Sequence, residues 1–315
     1  MDHTRQAFSR LPNLLCVGVE KCGTTFLNAA LSKSPDVLTP KKKELFFFNQ
    51  HFDKGLDWYL SWYDYQSKPG ARYIADVTPS YFRLGGRLGR ISETLPDARI
   101  MVVLRHPVYR AFSHYVHRMG ELASRLTPYP FSFADVLDRQ DQYQLICTRY
   151  GESLRKLLEF FPRENILLLS YEEDIVNPAL AADKIARFLD LELDFGSMQG
   201  DIVNQGHMPR FWYAPDEPVT VETVAGGHQL KPGELMLAFS KGTRLWKDVA
   251  PEVAAANVDA SRRWSRELTR ETVQQVFMEH FAKDLALLEA DFDFDTSLWR
   301  SMDEPVHYAD RIPAP

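Results

Sequence analysis

The sequence predicts an α/β protein in which a central, mostly parallel sheet is flanked by helices. Short apolar segments of strand length alternate with segments of helical period along much of the chain. This order is typical of a parallel sheet covered on both faces. The expected strands are Leu14–Val19, Tyr73–Val77, Ile100–Leu104 and Ile166–Leu169. The expected helices are Thr25–Ser32, Arg87–Leu95, Pro107–Met119, Tyr150–Phe160, Ala179–Leu189 and Glu271–Glu289.

Local features support the individual elements. Leu14–Val19 is an apolar run of strand length that ends in a glycine-containing segment. Pro107 stands at the start of an expected helix, a position that tolerates its missing N–H. Leu154, Leu157 and Phe161 recur at the spacing of one helical face,. Residues 196–240 differ, because they are rich in Gly and Pro and show no clear period, so we expect a loop region there.

Length, charge and cysteine content restrict the class of protein. The chain has 315 residues, so we expect one domain over 1–315 with 196–240 as a cap or substrate loop. The net charge of −6 disfavours a nucleic-acid partner,. No stretch approaches the roughly 20 apolar residues that span a bilayer, so no membrane partner is expected. Three cysteines without a Cys-x-x-Cys pair indicate a reducing, cytoplasmic setting,. The oligomeric state is left open.

A phosphate-binding loop is expected directly after the first strand. Residues 18–25 read Gly-Val-Glu-Lys-Cys-Gly-Thr-Thr, with Gly18 and Gly23 spaced as in the P-loop pattern. The lysine lies inside the loop as Lys21, and Thr24 stands in its usual place. Glycines let backbone N–H groups face an anion, and a helix N-terminus adds partial positive charge. These residues predict a P-loop-type, three-layer form of the fold, although glycine needed only for turn geometry is the plainer interpretation.

The end of the third expected strand argues against an ordinary ATP-dependent kinase. A P-loop nucleotidase usually has a strand ending in an aspartate that holds Mg²⁺. Here Ile100–Leu104 ends in Arg105, which suits an anion directly and can grip a phosphate bidentately. Asp76 also follows a strand, so a kinase using ATP and Mg²⁺ stays an alternative, while no metal is expected in the leading interpretation.

Two motifs together resemble the sulfotransferases that use 3′-phosphoadenosine-5′-phosphosulfate (PAPS). Residues 17–27, Val-Gly-Val-Glu-Lys-Cys-Gly-Thr-Thr-Phe-Leu, are similar to the 5′-phosphosulfate loop of that family. Residues 104–115, Leu-Arg-His-Pro-Val-Tyr-Arg-Ala-Phe-Ser-His-Tyr, resemble its 3′-phosphate element, with Arg105 and Ser113 as the contact residues. Segments 44–51, 54–59, 160–169 and 281–299 are most similar to the heparan sulfate branch, which includes the N-deacetylase/N-sulfotransferases. The resemblance covers most of the chain and is weakest over 196–234.

The resemblance implies a PAPS-dependent sulfotransferase that releases 3′-phosphoadenosine-5′-phosphate (PAP), without a metal. It implies Glu44, after Lys43, as general base and Lys21 as the residue stabilising the leaving phosphate. Lys43 and Asp76 are the expected acceptor-binding residues, and Asp76 is a second candidate base. The expected donor-binding residues are Lys21, Cys22, Gly23, Thr24, Thr25, Arg105, Ser113, Tyr150, Lys241, Gly242 and Thr243.

The acceptor is expected to be a glycan or a small natural product that offers a hydroxyl or an amine. One departure bears on this choice, because Val77 stands where the heparan sulfate enzymes commonly have a lysine. The loss of that cation puts a highly sulfated acceptor in doubt. It also leaves room for a non-catalytic nucleotide- or glycan-binding protein on the same scaffold. The aromatic residues of 58–65 are expected to be mainly core, with stacking on an acceptor as the alternative.

Overall fold

The computed structural model describes residues 10–82, 87–128, 131–139, 145, 147–198, 209–223, 226–239, 242–264 and 269–301. The chain forms two compact units that interleave along the sequence. The first unit comprises Met1–His106, Arg149–Val203 and Lys283–Asp295. The second comprises Pro107–Thr148, Asn204–Ala282 and Thr296–Pro315. The expectation that 1–315 acts as one domain stays a prediction.

The first unit contains a five-stranded, wholly parallel sheet in the order β2-β3-β1-β4-β5. Its strands are β1 (Leu14–Gly18), β2 (Val37–Leu38), β3 (Tyr73–Val77), β4 (Arg99–Leu104) and β5 (Ile166–Ser170). Residues of β1 and most of β4 are fully buried, which explains their continuous apolar sequences. The predicted α/β class with a central parallel sheet is therefore confirmed. Of the five strands in this sheet, the two-residue β2 was the one not predicted.

Helices of the first unit flank this sheet, and most lie close to the predicted segments. Two differ, because Gly55–Leu60 was not predicted and Ala282–Phe292 is only the later part of the predicted Glu271–Glu289. The helices are α1 (Thr24–Lys33), α2 (Gly55–Leu60), α3 (Arg87–Thr94), α6 (Tyr150–Leu158), α7 (Pro178–Leu189) and most of α10 (Ala282–Phe292). Each has a buried apolar side, such as Phe26, Leu27 and Leu31 of α1. Because strands and helices alternate, the carboxyl ends of the parallel strands and the loops that follow them meet at one edge of the sheet.

The second unit combines helices with small antiparallel sheets. Its helices are α4 (Pro107–Ala123), α5 (Phe133–Asp138), α8 (Pro251–Trp264), α9 (Arg270–Val276) and α11 (Ser297–Ser301). One sheet has the order β10-β9-β6, and another pairs β7 with β8. The strands are β6 (Arg210–Tyr213), β7 (Val219–Thr223), β8 (Gly226–Leu230), β9 (Leu235–Phe239) and β10 (Gly242–Trp246).

The expected loop over residues 196–240 is corrected by these strands. Ala214, Val221, Leu230 and Met236 form a small buried apolar cluster, against which Trp212 packs. Some of the glycines that suggested a loop lie in turns, as does Gly233 with a φ of 78° before β9, whereas Gly226 and Gly227 begin β8. The region is thus antiparallel structure in its described part, and its role as a cap or substrate region stays a prediction.

No helix in the described part of the chain is long and apolar enough to cross a membrane.

Candidate functional site

The loop between β1 and α1 brings a lysine and a helix N-terminus together. Backbone hydrogen bonds hold the start of the loop, since Val19 N donates to Val103 O of β4 at 3.0 Å. Lys21 has a φ of 71°, so the chain turns sharply at this residue. Gly23 follows and caps α1 in the left-handed conformation, with φ 83°. The loop therefore ends where the first amides of α1 have no carbonyl of the helix to pair with.

Gly23 is required by two independent features of its position. Its positive φ is a conformation that L side chains rarely adopt,. A Cβ built there would also lie 2.6 Å from Cγ2 of Ile175 and 3.2 Å from the ring of Tyr171. The loop is thus packed against the segment that follows β5, and glycine permits this close approach.

The threonines and the cysteine of the loop are positioned differently from one another. Thr24 is buried and Thr25 is partly exposed in the first turn of α1. Cys22 is buried, and its Sγ lies 3.7 Å from Glu20 O within the loop. The polar groups that can bind an anion are therefore the first-turn amides, the two threonine hydroxyls and the Lys21 side chain.

Arg105 leaves the end of β4 and points its guanidinium at this loop. Its Nη1 donates to Lys21 O at 3.0 Å, and its guanidinium lies 4.5 Å from the centre of the Tyr171 ring. The hydroxyl of Tyr150, which is fully buried, donates to Arg105 O at 2.8 Å. The neighbouring His106 N donates to Oε1 of Glu172 at 2.9 Å. The tip of β4 is thus in direct contact with the loop after β1 and with the segment after β5.

Lys43 and Glu44 form an ion pair on the segment that precedes the aromatic cluster. The Glu44 side chain is 35% exposed and the Lys43 side chain 19% exposed, so both are accessible from solvent. Glu44 has a φ of 62° and Phe46 a φ of 53°. The segment therefore turns twice in the left-handed region, and between these turns Leu45 is buried.

Asp76, at the end of β3, is fully buried and surrounded by hydroxyl groups. Its Oδ1 accepts from Thr78 Oγ1 at 2.7 Å, and its Oδ2 accepts from the hydroxyls of Tyr59 at 2.7 Å and Tyr81 at 3.1 Å. Burial raises the pKa of Asp76, and these three hydrogen bonds oppose that rise without cancelling it. The expected acceptor contact of Asp76 stays a prediction, because every described contact of its carboxylate is with the protein. Val77 is buried beside it.

The remaining expected donor residues lie in the second unit. Ser113 is buried on α4. Gly242 and Thr243 begin the edge strand β10, where they pair with Phe239 and Ala238. Lys241 lies outside the described residues. The roles of these residues in donor binding stay predictions.

Sequence reasoning missed Tyr171, Glu172 and Asp284 as organising residues. Tyr171 and Glu172 follow β5 directly, and the rule that ligand sites gather at the carboxyl ends of parallel strands is the signal that points to them. Asp284 accepts hydrogen bonds from Gly151 N and Glu152 N at 3.0 Å each. No sequence signal links Asp284 to residues this distant along the chain.

The loop after β1, the N-terminus of α1 and the tip of β4 bring together backbone amides, hydroxyls, a lysine and an arginine, which are groups that can bind anions,. Among the described residues, no group of three or more His, Cys, Asp and Glu side chains is arranged to hold a metal ion. Residues 11–206 match the family described as "Sulfotransferase domain". The match covers more than half of the chain, which therefore belongs to the sulfotransferase family.

Individual relatives agree with this assignment. The membrane-associated sulfotransferase kil1 of Dictyostelium discoideum is 30% identical over 148 residues, which are 46% of this chain and 31% of that protein. The bifunctional heparan sulfate N-deacetylase/N-sulfotransferase 2 of Mus musculus is 32% identical over 58% of this chain and 22% of that protein. The matched regions thus span less than a third of either relative.

A solved structure is similar over nearly the whole chain. The sulfotransferase from Alicyclobacillus acidocaldarius superposes with a TM-score of 0.59 at 23% identity, over 92% of this chain and 99% of that one. At this identity the likeness concerns the fold, and it agrees with the α/β architecture with a central parallel sheet.

Proposed function

We propose that this protein transfers the sulfuryl group of PAPS to a hydroxyl or an amine of an acceptor. The observation that carries the proposal is the contact between the loop after β1 and the tip of β4, where Arg105 donates to Lys21 O. The contact joins Arg105 to the loop that carries Lys21 and leads into the N-terminus of α1. A lysine, an arginine and helix N-terminal amides are the groups that suit a doubly phosphorylated nucleotide. Family membership supports the same chemistry.

In the proposed complex, different residues of the first unit bind different groups of PAPS. The amides of the first turn of α1, with Thr24 and Thr25, would hold the 5′-phosphosulfate, and Arg105 the 3′-phosphate. Tyr150 supports Arg105 through its hydrogen bond to the Arg105 carbonyl. The donor roles of Cys22, Ser113, Lys241, Gly242 and Thr243 are further proposals that rest on the resemblance. PAPS is the co-substrate and PAP the product, and the proposed reaction needs no metal.

The proposed reaction is an in-line displacement at sulfur. The acceptor oxygen or nitrogen forms a bond to sulfur, and the bond from sulfur to the bridging phosphate oxygen breaks. Glu44 takes the proton of the acceptor, because a hydroxyl is a poor nucleophile until that proton begins to leave. The electron pair of the broken bond stays on the phosphate of PAP, where the Lys21 ammonium stabilises it. Lys43, paired with Glu44, is proposed to contact the acceptor.

The proposed acceptor is a glycan, with a small natural product as the second choice. Relatives that are named for heparan sulfate support the glycan. Val77 supports a weakly sulfated one, because an apolar side chain replaces a cation beside the reacting groups. We also propose a cytoplasmic location, which rests on a sequence with three cysteines and no Cys-x-x-Cys pair,. Fractionation of cells that express the protein tests it.

Calorimetric titration with PAP, and separately with ATP and Mg²⁺, tests the donor assignment. We expect PAP to bind, and we expect Arg105→Ala to weaken that binding by about a hundredfold, the loss of a bidentate charged contact. Arg99→Ala at the opposite end of β4 is the matched control, because Arg99 also donates to a backbone carbonyl, that of Glu164, and its guanidinium also lies over an aromatic ring, that of Phe188. Firm binding of ATP with Mg²⁺ and no binding of PAP would contradict the proposal and favour a kinase. Binding of PAP without turnover of PAPS with any acceptor would favour a non-catalytic protein.

A further inference from the structure

The proposed reaction assigns no role to the buried carboxylate of Asp76. A buried carboxylate is costly unless hydrogen bonds compensate for its lost hydration. Here three side-chain hydroxyls from two different segments converge on it: Thr78 and Tyr81 from the segment after β3, and Tyr59 from α2. Asp76 therefore fixes α2 relative to the end of β3.

The two tyrosines pass this restraint to the residues that follow Glu44. The Tyr59 ring stacks on Phe47, with centroids 4.3 Å apart and planes at 6°. Phe48 packs edge-on against both tyrosines, with centroid distances of 5.6 Å to Tyr59 and 5.5 Å to Tyr81. The Phe48 N–H also donates to the Tyr81 hydroxyl at 3.4 Å. Both phenylalanines are buried.

The backbone before these phenylalanines needs such a restraint. Glu44 and Phe46 both have positive φ, a conformation that non-glycine residues keep only when the surrounding structure imposes it. The Glu44 side chain itself is partly exposed, and its described charge partner is the adjacent Lys43. Its direction is therefore set by the anchoring of the segment rather than by burial of its own carboxylate.

We propose that Asp76 is a positioning residue for sulfuryl transfer, which acts through the hydroxyls of Tyr59 and Tyr81 to hold the backbone that presents Glu44. The proposal rests on the proposed function, in which Glu44 is the base. It gives Asp76 a role in place of the expected acceptor contact, since the Asp76 side chain reaches no solvent. Tyr59 and Tyr81 share this role through their hydroxyls, beyond the packing of their rings.

Hydrogen–deuterium exchange of the full chain tests the restraint without any acceptor. In the double variant Tyr59→Phe/Tyr81→Phe, we expect the amides of residues 44–48 to exchange about tenfold faster, because local opening becomes easier. Tyr65→Phe is the matched control, since the Tyr65 ring packs against Tyr63 of the same aromatic cluster but its hydroxyl donates to Arg10 O. Unchanged exchange over 44–48 in the double variant would overturn the proposal. Should the double variant fail to fold, Asp76→Ala is expected to show the same increase and Asp76→Asn to restore most of the protection.

A kinetic cycle separates positioning from general stability. Turnover is followed as PAP release from PAPS, with de-N-sulfated heparan sulfate or water as acceptor. We expect Tyr59→Phe/Tyr81→Phe to lower kcat about tenfold with an unchanged Kd for PAP. In a Glu44→Gln background the same pair of changes should cause no further loss, because residues that act through one group are not additive. A full further loss would overturn the positioning role. Unchanged turnover of Glu44→Gln alone would contradict the proposed function instead, while leaving the exchange result intact.

Discussion

The guanidinium of Arg105 lies between the carbonyl of Lys21, at 3.0 Å from Nη1, and the face of the Tyr171 ring, whose centre is 4.5 Å away. One contact comes from the loop after β1 and the other from the segment after β5. Contacts from two segments thus hold the Arg105 guanidinium in place. Such preorganisation lowers the entropy lost when a phosphate binds.

Tyr171→Leu tests the contribution of the aromatic face. We expect the affinity for PAP to fall about fivefold, because a cation–π contact at a partly buried site contributes about 1 kcal/mol. Tyr171→Phe keeps the ring and should bind PAP nearly as well as the natural sequence. Calorimetric titration measures both. Equal losses for Leu and Phe would assign the effect to the hydroxyl and contradict this explanation.

Lys21→Ala tests the stabilisation of the leaving group. We expect kcat to fall by about a hundredfold or more, as when one preorganised group that stabilises developing charge is removed. PAP affinity should fall much less, because the α1 amides and Arg105 remain. Lys33→Ala, an exposed lysine in the last turn of the same helix, controls for the change in net charge. Initial rates with saturating PAPS decide the matter, and a kcat equal to that of Lys33→Ala would refute the role.

Gly151→Ala is expected to destabilise the first unit. A Cβ at Gly151 would lie 2.5 Å from the carbonyl oxygen of Asp284 and 2.7 Å from Cβ of Leu287, so the helices must separate at a cost of about 1–3 kcal/mol. Gly89→Ala in α3 is the matched control, because its nearest atom is a ring carbon of Phe160 at 3.5 Å. There, alanine should stabilise by up to about 1 kcal/mol through helix propensity. Urea denaturation compares the two, and equal effects of the two changes would speak against the close packing at Gly151.

Asp76→Asn tests the cost of the buried carboxylate through the pH dependence of stability. Burial raises the pKa of Asp76 in the folded protein above the usual 3.8. Between these two values the folded state binds more protons than the unfolded state, so the free energy of unfolding falls as pH rises. Asn does not titrate. The stability of Asp76→Asn relative to the natural sequence should therefore increase from about pH 4 upward and level off above the raised pKa.

Denaturation at a series of pH values measures this difference. Asp97→Asn, which changes an exposed aspartate of the same unit, serves as the control. A stability difference between Asp76→Asn and the natural sequence that stays constant with pH would contradict the pKa shift.

The sequence predicted the parallel sheet and a glycine-containing loop between β1 and α1, because both depend on local signals. A strand buried on both faces is continuously apolar, as in β1 and β4, and the Gly18–Gly23 spacing is contained in one segment. The antiparallel strands β6–β9 were missed, because their turns contain the glycines and prolines that also mark loops. The hydrogen bond from Tyr59 to Asp76 and the contact of Arg105 with Tyr171 join residues distant in sequence. No periodicity or spacing encodes such contacts, so only the folded chain shows them.

The residues of the candidate site follow strands that lie far apart along the chain, so they are synthesised at different times. Lys21 follows β1, whereas Tyr171 follows β5, the last strand to enter the sheet in chain order. A chain growing from its N-terminus consequently has the loop of Lys21 long before it has the Tyr171 ring that contacts Arg105. Nucleotide binding should then favour only molecules whose sheet is complete, since a ligand stabilises the state that binds it. In the proposed function, binding of PAPS would therefore raise the fraction of chains in which all five strands of the parallel sheet are in place.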